Sequence, residues 1–122
     1  MTFRRILLVA VLSAVAGCSS ASSPSSSTPP ASGGSAAVSI PSNARTLGAA
    51  SFGTNPLIVS VGTTVTWTNN DSIAHNSVSN TGVWNSGTLN PGQSFQFRFA
   101  TAGTFPYTCT FHQGMVGTVT VQ

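Results

Sequence analysis

The chain has 122 residues, and only Arg4, Arg5, Arg45, Arg98 and Asp71 carry charge, which is 4% of the total against about 25% in an ordinary soluble domain. With no Lys and a single acid, the composition excludes a basic nucleic-acid face, which needs clustered Lys and Arg. It equally excludes paired-carboxylate catalysis. The length allows one domain, and 40% apolar residues with seven Phe provide that domain with a core.

The first element is an apolar run from Ile6 to Gly17, interrupted only by Ser13 and preceded by Arg4 and Arg5. A positive start, an apolar stretch and small residues at its end describe a secretory signal. The run is shorter than the about 20 apolar residues a membrane span needs. Its ending, Val15-Ala16-Gly17-Cys18 with Leu12 upstream, resembles the bacterial lipoprotein signal, which implies a diacylglycerol thioether on Cys18. The alternative is an ordinary signal cut within the following Ser-rich stretch, with Cys18 incidental. From Ser19 to Ser35 the chain reads SSASSPSSSTPPASGGS, which has nothing to bury and is expected to stay disordered. As a flexible tether it would reach about 20–25 Å. The expected organisation is therefore a signal over 1–17, a lipidated Cys18 and linker over 18–35, and one folded domain over 36–122.

That domain reads as all-β. Leu57, Val59 and Val61 alternate before Gly62, and Val65 and Trp67 alternate after it. Ser94-Phe95-Gln96-Phe97-Arg98-Phe99 alternates strictly, the period of a half-buried strand. Val116 to Val121 repeats the pattern, with Val119 and Val121 on one face and Thr118 and Thr120 on the other. Turn signals separate these runs at Ser42-Asn43, Asn55-Pro56, Asn69-Asn70-Asp71, Asn90-Pro91-Gly92 and Ala102-Gly103. No stretch has helical periodicity with caps. Such spacing predicts an antiparallel β-sandwich or barrel of Greek-key type with about seven to eight strands. Residues 42–55 read as an irregular strand or a long loop. Trp67, Trp84 and the three Phe of the 95–99 run are expected in the core.

The chemistry concentrates near the C-terminus. With Cys18 lipidated, Cys109 is the one remaining thiol of an exported chain, a liability unless its sulfur is occupied. It stands in Cys109-Thr110-Phe111-His112-Gln113-Gly114-Met115, where Cys, His and Met recur every third residue. The other histidine is His75, in Asp71-Ser72-Ile73-Ala74-His75-Asn76. Thiolate, thioether and imidazole together suit copper, and two His with one Cys and a weak axial Met is the blue-copper arrangement. Zinc is the rival, but structural zinc sites use Cys and His without Met. An iron–sulfur cluster would need more thiolates. Taken singly, each residue has a plainer role: Met115 as a gap-filler, His75 as a turn residue, Cys109 as a small hydrophobe.

The stretch from Pro56 to Gln122 resembles the cupredoxins of the plastocyanin and amicyanin branch. The matching segments are Val61-Gly62-Thr63-Thr64-Val65-Thr66-Trp67-Thr68-Asn69-Asn70 with His75-Asn76, then Leu89-Asn90-Pro91-Gly92-Gln93-Ser94-Phe95. The third is Gly103-Thr104-Phe105-Pro106-Tyr107-Thr108-Cys109. The spacing of Cys, His and Met is similar to that of amicyanin. The resemblance implies a trigonal plane of His75, Cys109 and His112 with Met115 as a long axial contact to one type 1 copper ion. It implies that the Asn76 N–H points at the thiolate and that the Asn76 side chain ties the two ligand segments together. One departure is Phe111, where the family often has Pro, and no acidic patch of the plastocyanin kind is possible.

The functional expectation is a membrane-tethered, one-electron carrier rather than an enzyme, since four protein ligands leave no open metal position. Its redox partners would dock through an apolar rim around the His112 ring edge, with Phe111, Gly114 and Met115 as candidates for that rim. The protein is expected to be a monomer, lipid-anchored to the bacterial cell envelope and facing periplasm or exterior. Copper storage or delivery is the alternative. With Arg4 and Arg5 confined to the signal, the formal charge falls from +3 to +1.

Overall fold

The computed structural model describes residues 33–122; the signal, Cys18 and most of the linker lie outside the described residues. Among the described residues, seven strands form two sheets. They are β1 (Ser35–Ile40), β2 (Leu57–Val59), β3 (Thr64–Asn69), β4 (Val78–Ser79), β5 (Ser94–Arg98), β6 (Gly103–Thr108) and β7 (Val116–Val121). One sheet runs β1-β3-β5 and the other β2-β7-β6-β4.

The sheets are mixed, whereas the sequence reading expected antiparallel pairing. β1 pairs parallel with β3, setting Val38 beside Trp67 and Ile40 beside Asn69. β2 pairs parallel with β7. The remaining pairs, β3–β5, β4–β6 and β6–β7, are antiparallel. Parallel neighbours need a crossover rather than a hairpin. The chain between β1 and β3 provides one by visiting the opposite sheet as β2. On the way, residues 42–55 resolve into two short 3-10 turns, Ala44–Thr46 and Gly48–Ala50. Small residues without an apolar period do not announce such turns.

Period-2 alternation fills the space between the sheets. Val65 and Trp67 of β3 are buried, and their β5 partners Phe97 and Phe95 pack against the core more loosely. Val119 and Val121 close the core from the other sheet, with Tyr107 of β6. Trp67 sits at the centre, its ring centroid 5.4 Å from Trp84 and 5.6 Å from Tyr107. Burial pushes the Tyr107 phenol up to about 12. Gly117 on β7 faces that ring, and any side chain there would overlap it. The position needs glycine for room. Val61, which alternates with Leu57 and Val59 in the sequence, lies beyond the end of β2 and is exposed.

Candidate metal centre

Asn69 ends β3 and organises the first half of the site. It is fully buried. Its Nδ2 donates to the carbonyls of Ile73 and Leu89, both at 2.8 Å, and its Oδ1 accepts the Asp71 N–H at 2.9 Å. Those bonds curl residues 69–75 into a compact turn that delivers His75. The His75 backbone is then clamped to Leu89 by a reciprocal pair of bonds, 3.0 and 2.8 Å.

The His75 ring is completely buried and meets a different group at each nitrogen. Nε2 lies 3.0 Å from Asp71 Oδ2, while Nδ1 lies 3.8 Å from Cys109 Sγ. The hydrogen bond from His75 holds the Asp71 carboxyl down at about 2, against the opposing effect of burial and with help from the Ser72 and Ala44 N–H groups. An ionised carboxylate only accepts, so Nε2 carries the proton and Nδ1 turns its lone pair toward the sulfur.

The second half of the site is the loop between β6 and β7. The Cys109 N–H donates to the Met115 carbonyl at 3.0 Å and the Met115 N–H to His112 at 3.3 Å, which closes the loop at its neck. Gly114, at φ 84°, supplies the left-handed turn that this closure needs. His112 Nδ1 lies 3.6 Å from Cys109 Sγ. Burial lowers the His112 imidazole below its ordinary value, and the positive charge of Arg45 acts the same way while Asp71 opposes them. That favours the neutral ring, the form that binds metals. Met115, six residues after Cys109, is fully buried and packs in the core cluster with it, so it is no part of the exposed rim expected of it.

Asn76 joins the halves. Its N–H points at Cys109 Sγ at 3.5 Å. Its side chain donates to Thr110 Oγ1 and accepts the Thr110 N–H, each at 2.7 Å. Phe111 at the tip of the loop is 48% exposed and Gly114 is exposed, while His112 between them is half-buried. Cys109 is a free, buried thiol.

These donors fit a metal. One atom from each of His75, Cys109 and His112 lies within 4.8 Å of the others. With metal bonds of about 2.0 Å to nitrogen and about 2.3 Å to sulfur, the lengths zinc adopts, a trigonal arrangement separates nitrogen from sulfur by about 3.7 Å and a tetrahedral one by about 3.5 Å. The observed 3.6 and 3.8 Å straddle the trigonal value. Two imidazoles and a thiol with a buried thioether beside them make a soft donor set that suits copper.

A β-sandwich that closes two imidazoles and a thiol over its end is the architecture of a copper-binding cupredoxin. The chain belongs to the plastocyanin/azurin family of copper binding proteins, whose family model matches residues 41–122. It is 41% identical to a plastocyanin of Scenedesmus fuscus over 88 residues, 62% of this chain and 90% of that protein. It is 37% identical to the amicyanin of Paracoccus denitrificans over 76 residues, 58% of each. Among solved structures, a purple cupredoxin from Nitrosopumilus maritimus superposes with a TM-score of 0.65 at 40% identity, over 71% of this chain and 99% of that one. A mutant of amicyanin in its oxidized state gives 0.61 at 31% identity, over 73% and 83%. The cofactor is one type 1 copper ion, and the function is cupredoxin electron transfer.

Two residues of the site escaped sequence reasoning. Asp71 entered it only as the sole acid, and Asn69 only as part of a turn. The available signal was an acid four residues before a ligand-type histidine, at the end of a strand.

Asn69 offers a direct check on this construction. Asn69→Ala leaves the part-buried Ile73 carbonyl and the buried Asp71 N–H without partners, and unpaired buried groups cost about 1–3 kcal/mol each. The expected result is a loss of about 2–3 kcal/mol in urea unfolding. Copper affinity in chelator competition should weaken about 10–100-fold, as it does when supports of a metal ligand are removed.

Proposed function

We propose that His75, Cys109, His112 and Met115 would hold copper in a membrane-tethered carrier of single electrons. The observation that carries this reading is the convergence of His75 Nδ1 and His112 Nδ1 on Cys109 Sγ, at 3.8 and 3.6 Å. The bound ion supplies a one-electron Cu(I)/Cu(II) couple. The protein residues hold their positions through the exchange: the Leu89 bridge fixes His75, the closed neck of the 109–115 loop fixes Cys109, and Asn76 links them. The Asn76 N–H offers a hydrogen bond to the thiolate, which withdraws charge from the sulfur and tunes the couple.

Electrons would leave through His112, the half-buried member of the set. Phe111 and Gly114 form the apolar rim around it for a redox partner. Lipidation at Cys18 and the Ser-rich linker would hold the domain at the bacterial cell envelope while letting it turn freely, and it would act as a monomer.

Two measurements test the reading. Copper-loaded protein should show an intense visible thiolate-to-copper band that one electron per chain bleaches reversibly. A colourless protein, or one that yields its copper to a weak chelator, points instead to storage or delivery. Docking without charge steering makes a second expectation. Arg45, Arg98 and Asp71 leave the domain almost uncharged. Electron self-exchange between oxidised and reduced copies should therefore change less than about threefold as the screening length falls from about 10 to about 3 Å. A steep dependence on salt would overturn the apolar docking surface.

A further inference from the structure

Asp71 is the one acidic side chain in the protein, and the fold buries it against a histidine. Its carboxylate is satisfied on both oxygens. Oδ1 accepts the Ser72 N–H at 2.7 Å, and Oδ2 accepts the Ala44 N–H at 3.2 Å and His75 Nε2 at 3.0 Å. Asp71 N–H is itself held by Asn69 Oδ1 at 2.9 Å. The carboxylate is thus fixed by the turn after β3 and by the first 3-10 turn after β1, two segments 27 residues apart. A surface aspartate would not be wired in this way. The nearest basic residues in sequence, Arg45 and Arg98, form no ion pair with it within 4 Å; its partner among the described residues is His75.

Resting on the copper reading above, we infer that Asp71 is a positioning residue for His75 whose negative charge also biases the bound couple toward its oxidised form. The two effects have separate physical causes. As a hydrogen-bond acceptor, Asp71 fixes the ring angle and confines the proton to Nε2, so that Nδ1 is always the free donor. As an anion, it strengthens the donor power of the imidazole and favours the more highly charged metal state. His75 is fully buried, so solvent screens this charge weakly.

The effects can be separated experimentally. In the copper-free protein, nitrogen-15 NMR should find the neutral His75 ring in one tautomer, protonated at Nε2. A mixture of tautomers, or a proton at Nδ1, overturns the positioning role without any variant being made. Asp71→Asn can keep its carbonyl oxygen at the Oδ2 position for His75 and Ala44, turning its amide toward the partly exposed Ser72 N–H. The tautomer should survive in D71N, while the ratio of oxidised to reduced copper stability falls about tenfold, which for one electron raises the potential about 59 mV. Asp71→Ala loses acceptor and charge together, so the tautomers should mix and copper affinity fall about 10–100-fold. A D71N potential equal to that of the unsubstituted protein overturns the charge effect. Failure of the copper reading would look different, because the unsubstituted protein would then lack the visible band.

Discussion

Cys109→Ser extinguishes the visible absorption of the copper-loaded protein and leaves the β-sandwich folded. That is the expected result, because the band needs a thiolate and Cys109 is the free thiol at the site. The hydroxyl of serine is a hard donor that holds its proton at neutral pH, so it replaces the sulfur in volume but not in chemistry. The backbone consequences are small. The Cys109 N–H to Met115 carbonyl bond belongs to the main chain and survives the exchange. The buried hydroxyl can turn toward either imidazole Nδ1, now at 3.6 and 3.8 Å from the sulfur. Unfolding of the metal-free variant should differ by no more than about 1–2 kcal/mol. Circular dichroism checks the sandwich, and absorption with added Cu(II) checks the site. A visible band in the variant would remove Cys109 from the ligand set.

Trp67→Ala removes the centre of the core that keeps both halves of the site in place. The Trp67 ring is fully buried and meets four others, with centroids at 5.4 Å for Trp84, 5.6 Å for Tyr107, 6.0 Å for Phe95 and 6.5 Å for Phe99. Truncating such a ring costs about 3–5 kcal/mol, a large share of the about 5–15 kcal/mol that holds a domain together. Each kcal/mol is worth about 4–8 °C in a domain of this size, so thermal unfolding should fall by about 15 °C or more. Trp67→Phe separates packing from hydrogen bonding. Trp67 Nε1 is buried without a well-formed hydrogen bond, facing at most a weak contact with the Tyr107 hydroxyl, so removing it forfeits little bonding, and the phenyl ring keeps most of the aromatic contacts. The cost of that variant should stay below about 2 kcal/mol. Equal losses in the two variants would show that the aromatic cluster is not the source of the stability.

Different parts of the protein were readable from sequence to different depths. The Phe95, Phe97 and Phe99 alternation and the Val119, Val121 face are local patterns of period two, and they locate β5 and β7 within a residue. The ligand-type residues were readable because Cys, His and Met together are chemically unusual, and because the surrounding segments resemble a known family. What the local pattern cannot carry is the partner of each strand. β1 and β3 lie side by side in parallel although a crossover through the other sheet separates them, and nothing in either strand specifies that direction. Residues 42–55 stayed ambiguous because the short 3-10 turns Ala44-Arg45-Thr46 and Gly48-Ala49-Ala50 have neither apolar periodicity nor side-chain caps.

The small charge count was likewise only half informative. By itself the sequence determined that basic docking faces and carboxylate pairs are out of reach and that the domain is β, and it singled out His75, Cys109, His112 and Met115 as chemically unusual. The tertiary structure decided that Asp71, apparently one polar turn residue among several, is buried against the far nitrogen of His75. That contact depends on Asn69 curling the turn after β3 and on Ala44 arriving from the segment after β1. Hydrogen bonds act over about 3 Å, so their partners are chosen by how distant segments pack, which no local stretch of residues encodes.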